Sequence, residues 1–115
     1  MPKTYVARRY DVKFQSWLQS SEWDEMCVTW ADLYEAYVDS DGWDCDSDLD
    51  AGWYEFKKAD VRKLLEVLKT FRCLNGWLYA PGEASPICPI ATRDYLEELL
   101  LISKHVPGFI RVEVR

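Results

Sequence analysis

From residue 14 to residue 56 the chain has no lysine, arginine or histidine, and it carries twelve carboxylates there. At the chain's average frequency about five basic residues would fall in a stretch this long, so the asymmetry is informative. It constrains folding first. A helix inside the stretch has no lysine to set against its own carboxylates at i,i+4, so an apolar face must hold it in place. That face is present. On a wheel of about 100° per residue, Trp23, Met26, Cys27, Trp30, Leu33, Tyr34, Tyr37 and Val38 fall within one arc of roughly 140°. Glu22, Asp24, Glu25, Asp32 and Glu35 lie on the opposite side. Ser21 is the expected cap, with Asp24 three residues on and an acidic first turn that suits the helix dipole.

The remaining charge is mildly basic. Residues 1–13 and residues 57–115 each carry a net +3, against −12 for the block between them and −6 for the whole chain. With 115 residues, 49% of them hydrophobic and 15% aromatic, the chain has the length and composition of one folded domain with one core. No apolar run approaches the length of a membrane span. The opening MPKTYVARRYDVKF lacks an apolar signal core, so a cytoplasmic protein is expected. The cysteines, Cys27, Cys45, Cys73 and Cys88, contain no C-x-x-C pair, which argues against a zinc or thioredoxin-like site. They are expected to be free thiols, with a Cys73–Cys88 bridge conceivable under oxidising conditions.

Further along, residues 3–12 alternate loosely as a strand would, and Phe14, Trp17 and Leu18 fit a helical turn. The acidic stretch 39–52 is expected to be loop, followed by a short strand at 53–56. Asp60 is the expected cap of a second helix that buries Val61, Leu64, Leu65, Val67, Leu68 and Phe71 and exposes Arg62, Lys63 and Lys69. Asn75-Gly76 ends it, as a cap or as a tight turn. WLYA at 77–80 reads as a strand and the proline-rich 81–91 as loop. Thr92 is expected to cap a third helix, the most buried, running to about His105. FIRVEVR at 109–115 alternates cleanly and is the clearest strand. The expected fold is α+β: three helices packed against a small, mostly antiparallel sheet in a single domain.

The segment DSDGWDCDSDLDAGWYE, residues 39–55, holds six aspartates and one glutamate. Counted from Asp44, it resembles an EF-hand loop, with Asp46, Asp48, Asp50 and Glu55 at the third, fifth, seventh and twelfth positions. The resemblance fails at the sixth position. A sharp turn at positive φ calls for glycine there, and Leu49 would cost about 1–2 kcal/mol. A divalent-metal-responsive module using Asp44, Asp46, Asp48 and Glu55 is therefore the second reading.

The first reading is a docking surface. If the segment is extended, Asp44, Asp46, Asp48 and Asp50 share one side at about 6.6 Å intervals. That is the same order as phosphate spacing along a nucleic acid strand, whose rise is about 3.4 Å per nucleotide. With Asp39, Asp41 and the helix carboxylates Glu25, Asp32 and Glu35, such a surface would suit a basic groove. Trp43 is a candidate aromatic anchor, whereas Trp53 is expected in the core. The competing reading is a solvated face that keeps the protein soluble.

Catalysis has little support. His105 is the only histidine, and no phosphate-binding loop, dinucleotide fingerprint, nucleophile elbow or zinc-protease motif is present. The expectation is a non-enzymatic protein without cofactor or metal, binding neither nucleic acid nor membrane directly. It would dock on the basic, nucleic-acid-binding site of a partner protein and inhibit it. In size, charge and aromatic content the chain resembles the small acidic inhibitors of phages and mobile elements: anti-CRISPR proteins, anti-restriction DNA mimics and nuclease immunity proteins. The likeness is one of character, and no family motif transfers residue by residue.

Overall fold

Ile110 and Val112, the inward residues of the cleanly alternating C-terminal stretch, are completely buried, and the strand they belong to lies inside the main sheet. The computed structural model describes residues 12–105 and 108–114. In chain order these form β1 (Val12–Gln15), α1 (Ser20–Tyr37), β2 (Cys45–Asp48), β3 (Trp53–Lys57), α2 (Lys58–Leu68), β4 (Arg72–Leu74), β5 (Trp77–Tyr79), β6 (Cys88–Pro89), α3 (Ile90–Ile102) and β7 (Phe109–Glu113). The fold is α+β, with three helices and two small sheets. The larger sheet runs β1-β7-β3-β2 and the smaller β4-β5-β6. Only the β1–β7 pairing is parallel among the described strands. Among the described residues no helix is long and apolar enough to cross a membrane.

The core forms where α1 crosses β3. Strand alternation turns Tyr54 and Phe56 toward the helices and Trp53 and Glu55 to the other face. Trp23 stacks on Tyr54 with ring centroids 5.8 Å apart and meets Trp30 edge-on at 5.9 Å. Trp30 in turn meets Phe56 edge-on at 5.4 Å. Aromatic contacts of this kind add about 0.5–1.5 kcal/mol each to the gain from burial. The Trp30 indole N–H donates to the Thr92 carbonyl of α3 at 3.1 Å, so the central tryptophan is satisfied without water. From α2, Val61, Leu64, Leu65 and Leu68 close the core, while Arg62, Lys63 and Lys69 stay exposed as expected.

Several boundaries differ from the sequence reading. The expected strand at 3–12 lies outside the described residues except for Val12, which opens β1. Phe14 is in that strand rather than in a helical turn, and Trp17 is 80% exposed. The cap of α1 is Gln19, whose backbone N–H donates to the Glu22 carboxylate at 2.8 Å. Asp60 sits in the first turn of α2, which begins two residues earlier. That helix stops at Leu68, where Thr70 turns its hydroxyl back onto the Val67 carbonyl at 2.7 Å. Asn75 and Gly76 both have positive φ, 52° and 80°, so they form the two-residue turn of the β4–β5 hairpin. Thr92 lies inside α3, whose cap is Pro89. That helix is not buried all round: Leu101 is 63% exposed. His105 lies beyond its end and is exposed.

The Cys73–Cys88 bridge is excluded by register. Cys73 faces Leu78 across β4–β5, and Leu78 faces Cys88 across β5–β6. Two strand spacings, about 9.5 Å, separate the cysteines, beyond disulfide reach.

Candidate functional site

The acidic block forms two surfaces joined at one edge of the larger sheet. The first is the outer face of α1, where Glu22, Asp24, Glu25, Asp32 and Glu35 are all exposed. Glu25 and Asp32 are two turns apart, about 10.5 Å along the axis, and nearly in line. Val28, between them, is 62% exposed. Asp24 turns toward the sheet, and its carboxylate accepts a hydrogen bond from the Tyr54 hydroxyl. Burial first, and then this carboxylate, push the Tyr54 hydroxyl above the usual phenol range. Beside the helix, a cleft of about 400 Å³ has Leu18, Met26, Pro89 and Ala91 among its walls and Glu22 and Glu25 on its rim.

The second surface is the segment after α1, and it corrects the loop expectation. Asp39 and Asp41 are exposed, and the Asp41 N–H donates to Asp39 Oδ1 at 3.0 Å. Gly42 passes so close to Tyr34 that an added Cβ would lie 3.1 Å from its ring. This tight approach drops Trp43 against Tyr34, Phe56 and Trp30, at centroid distances of 5.4, 5.9 and 6.2 Å. Trp43 is thus a half-buried core residue, not a presented anchor. Asp44 is exposed, and its backbone N–H donates to Asp60 Oδ2 at 3.3 Å. The other Asp60 oxygen accepts the Tyr34 hydroxyl at 3.1 Å. Burial, reinforced by that carboxylate, pushes the Tyr34 hydroxyl up to about 12.

Residues 45–48 then pair with β3 as the edge strand of the sheet. Asp46 stands opposite Glu55 and Asp48 opposite Trp53. These two aspartates therefore share the face turned away from the helices, while Cys45 and Ser47 share the other. Asp50 is exposed at the tip of the turn. The four aspartates do not make one extended row: only Asp46 and Asp48 lie along the strand. Charged side chains on an exposed edge also discourage pairing with another chain, which is the simplest structural use of this composition.

The metal reading finds a hairpin in place of a calcium loop. Leu49 does not have positive φ; the left-handed residue of the turn is Gly52, at +77°. Asp48 Oδ1 accepts the Ala51 N–H at 3.1 Å, and the Gly52 N–H donates to the Asp48 carbonyl at 2.8 Å. Glu55 is buried and bound to Arg111, with Nη2 and Oε2 3.1 Å apart. Among the described residues no three His, Cys, Asp or Glu side chains are placed to hold a metal ion.

Three features escaped the sequence reading. Trp53 lies away from the helical core, under the Arg111 guanidinium at 4.4 Å. Lys58 is buried, donates to the Ser103 carbonyl and is held below its usual range by desolvation and then by Arg62. Cys27 and Cys45 are neighbours, and Cys45 raises the Cys27 thiol above its usual range. The only available signal was alternation at 53–57, which places Trp53 and Glu55 opposite Tyr54 and Phe56.

These elements define a small α+β protein with an acidic helix face and an acidic sheet edge. No family model matches the chain, and no curated protein or solved structure matches it either.

Proposed function

We propose that this is a non-enzymatic, cytoplasmic binding protein that docks its carboxylate surface on a basic, nucleic-acid-binding site of another protein and blocks it. One observation carries the reading. Glu25, Asp32, Glu35, Asp39, Asp41, Asp44, Asp48 and Asp50 are all exposed, and none forms an ion pair with a lysine or arginine among the described residues. Unneutralised carboxylates repel one another, which disfavours the compact state. They also steer a cationic partner into contact at rates that salt suppresses.

The geometry favours a groove over a flat patch as the partner surface. The helix carboxylates and the pair Asp46 and Asp48 lie toward opposite faces of the sheet, joined through its β2 edge. A flat basic patch meets one group; a groove with two basic walls meets both. Grooves that hold nucleic acid strands have that shape and charge. The cleft beside α1 adds a place for a partner's long basic side chain, with its stem on Met26 and Ala91 and its head at Glu22 or Glu25.

The test uses the immobilised protein and host lysate, with proteins eluted by salt or by duplex DNA. Two variants are compared with wild type: Glu25→Gln/Asp32→Asn/Glu35→Gln on the helix and Asp44→Asn/Asp46→Asn/Asp48→Asn on the edge. The wild type should retain a DNA-displaceable protein that both variants lose, with melting temperatures equal to or above wild type. If both variants retain the same protein, the carboxylate surface is not where it binds.

A further inference from the structure

We propose that Cys27 and Cys45 form a disulfide when the protein meets a low-molecular-weight disulfide such as oxidised glutathione, covalently joining α1 to the edge strand β2. The placement is set by one residue, Phe56. On α1, Cys27 lies between Trp23 and Trp30 at helical spacings of four and three, on the same stripe. Both indole rings rest against Phe56, with centroids at 6.1 and 5.4 Å. Across the hairpin, Phe56 is the register partner of Cys45, so both side chains point to the helix side of the sheet. The helix stripe and the strand partner therefore converge on Phe56 from the same side of the sheet, and Cys45 lies close enough to Cys27 to raise its thiol.

The surroundings suit this pair and no other. Cys27 and Cys45 are both half-buried thiols at the margin of the core, while Cys88 is buried and Cys73 is exposed on the other sheet. Cys73 and Cys88 are kept apart by the strand between them. The neighbouring Cys45 first, and then burial, raise the Cys27 thiol, so it stays protonated at neutral pH. The sequence of exchange follows. The Cys45 thiolate attacks the oxidant, forming a mixed disulfide and releasing one small thiolate. Cys27 then attacks the Cys45 sulfur. Its proton passes to the second small thiolate as that group leaves. Two protein thiols and one small disulfide become one protein disulfide and two small thiols.

The bridge would enclose residues 28–44, which contain Asp32, Glu35, Asp39, Asp41 and Asp44. It would fix the helix carboxylates relative to the edge strand, and it stands whether or not that surface docks a partner.

The experiment incubates the full chain with oxidised glutathione, alkylates the remaining thiols and maps the digested peptides by mass. Alkylatable thiols should fall from four to two, the missing pair should appear as one Cys27–Cys45 cross-linked peptide, and dithiothreitol should restore all four. The oxidised chain should melt about 10 °C higher, as expected for a loop of this length. Cys45→Ser should show no intramolecular bridge and no shift on oxidation. Should that variant fail to fold, the wild-type peptide map still decides. Four alkylated thiols, glutathione adducts at Cys27 or Cys45 without a bridge, or a bridge between other cysteines would each overturn the assignment.

Discussion

Glu55 and Arg111 face one another across β3 and β7, and their carboxylate and guanidinium meet at 3.1 Å on the side of the sheet turned away from the helices. The Glu55 side chain is 2% exposed and that of Arg111 13%. A charge so placed is tolerated because its partner is there. Arg111→Met should therefore destabilise the protein by about 3 kcal/mol, by leaving Glu55 ionised without its main cation. The double variant Glu55→Gln/Arg111→Met should recover much of that loss. Urea unfolding of the two single variants and the double variant measures the coupling. Additive losses would show that the pair is not energetically linked.

A set of buried titratable groups couples stability to alkaline pH. Tyr34 is raised to about 12 by burial and Asp60, and Tyr54 is raised further by burial and Asp24. Cys27 and Cys88 are raised above their usual 9.0, both chiefly through their surroundings in the fold. A group whose folded value lies above its unfolded value stabilises the fold below the unfolded value, and that contribution is lost as pH rises through the folded one. Lys58, held below 10.5, acts in the opposite sense: it adds stability as pH rises toward 10.5. Four groups against one give a net loss beginning near pH 9 and continuing to about 12. The urea midpoint should drop between pH 8 and pH 11, and Tyr34→Phe should flatten that drop. An unchanged midpoint over this interval contradicts the assignment. At neutral pH the same variant should cost about 1–3 kcal/mol, because buried Asp60 keeps the Asp44 N–H but loses the hydroxyl.

On α1, Glu22 and Glu25, and Asp32 and Glu35, are like charges three residues apart, each pair costing about 0.2–0.5 kcal/mol. Asp32→Lys removes one repulsion and creates an attraction to Glu35. It should stabilise the protein by about 0.5–1 kcal/mol while weakening capture of a basic partner. A loss of stability would mean that Asp32 makes a contact its exposure does not reveal.

Gly52 closes the β2–β3 turn at φ +77°, and a Cβ there would stand 3.3 Å from the Val114 carbonyl. Its own carbonyl accepts the Val114 N–H at 2.8 Å. Gly52→Ala should cost about 1–2 kcal/mol from the left-handed conformation alone. The same change at Gly82, which has positive φ but open space around it, should cost no more than that. Thermal melts of the two variants separate the strain from the clash.

What could be read in the sequence follows the strength of the local signal. α1 and β7 were legible because Trp23, Trp30 and Tyr34, and Ile110 and Val112, repeat at the periods that burial imposes. β2 was not. Aspartate is depleted in strands, and Cys45, Asp46, Ser47 and Asp48 show no apolar alternation. Ladder pairing to β3 makes them a strand, and that depends on residues elsewhere in the chain. The exposure of the helix carboxylates was legible for the same reason as the helix. The division of the aspartates between a helix side and a far side was not, because it requires the register of the hairpin. Lys58 and the Cys27–Cys45 contact likewise arise from packing between elements distant in sequence.

Trp43 shows how the two roles of an aromatic residue are told apart. It stands in the most acidic part of the chain, yet its ring lies against Trp30, Tyr34 and Phe56, and its indole N–H is buried without a partner among the described residues. Trp43→Ala should cost about 3–5 kcal/mol through the cavity it leaves. Trp43→Phe keeps most of the aromatic contact and removes an unsatisfied donor, so it should cost under about 1.5 kcal/mol. Because the ring faces the core, the phenylalanine variant should also leave partner capture unchanged. An anchor reaching outward would behave the other way round: Trp43→Ala would barely move the urea midpoint, while Trp43→Phe would already weaken capture.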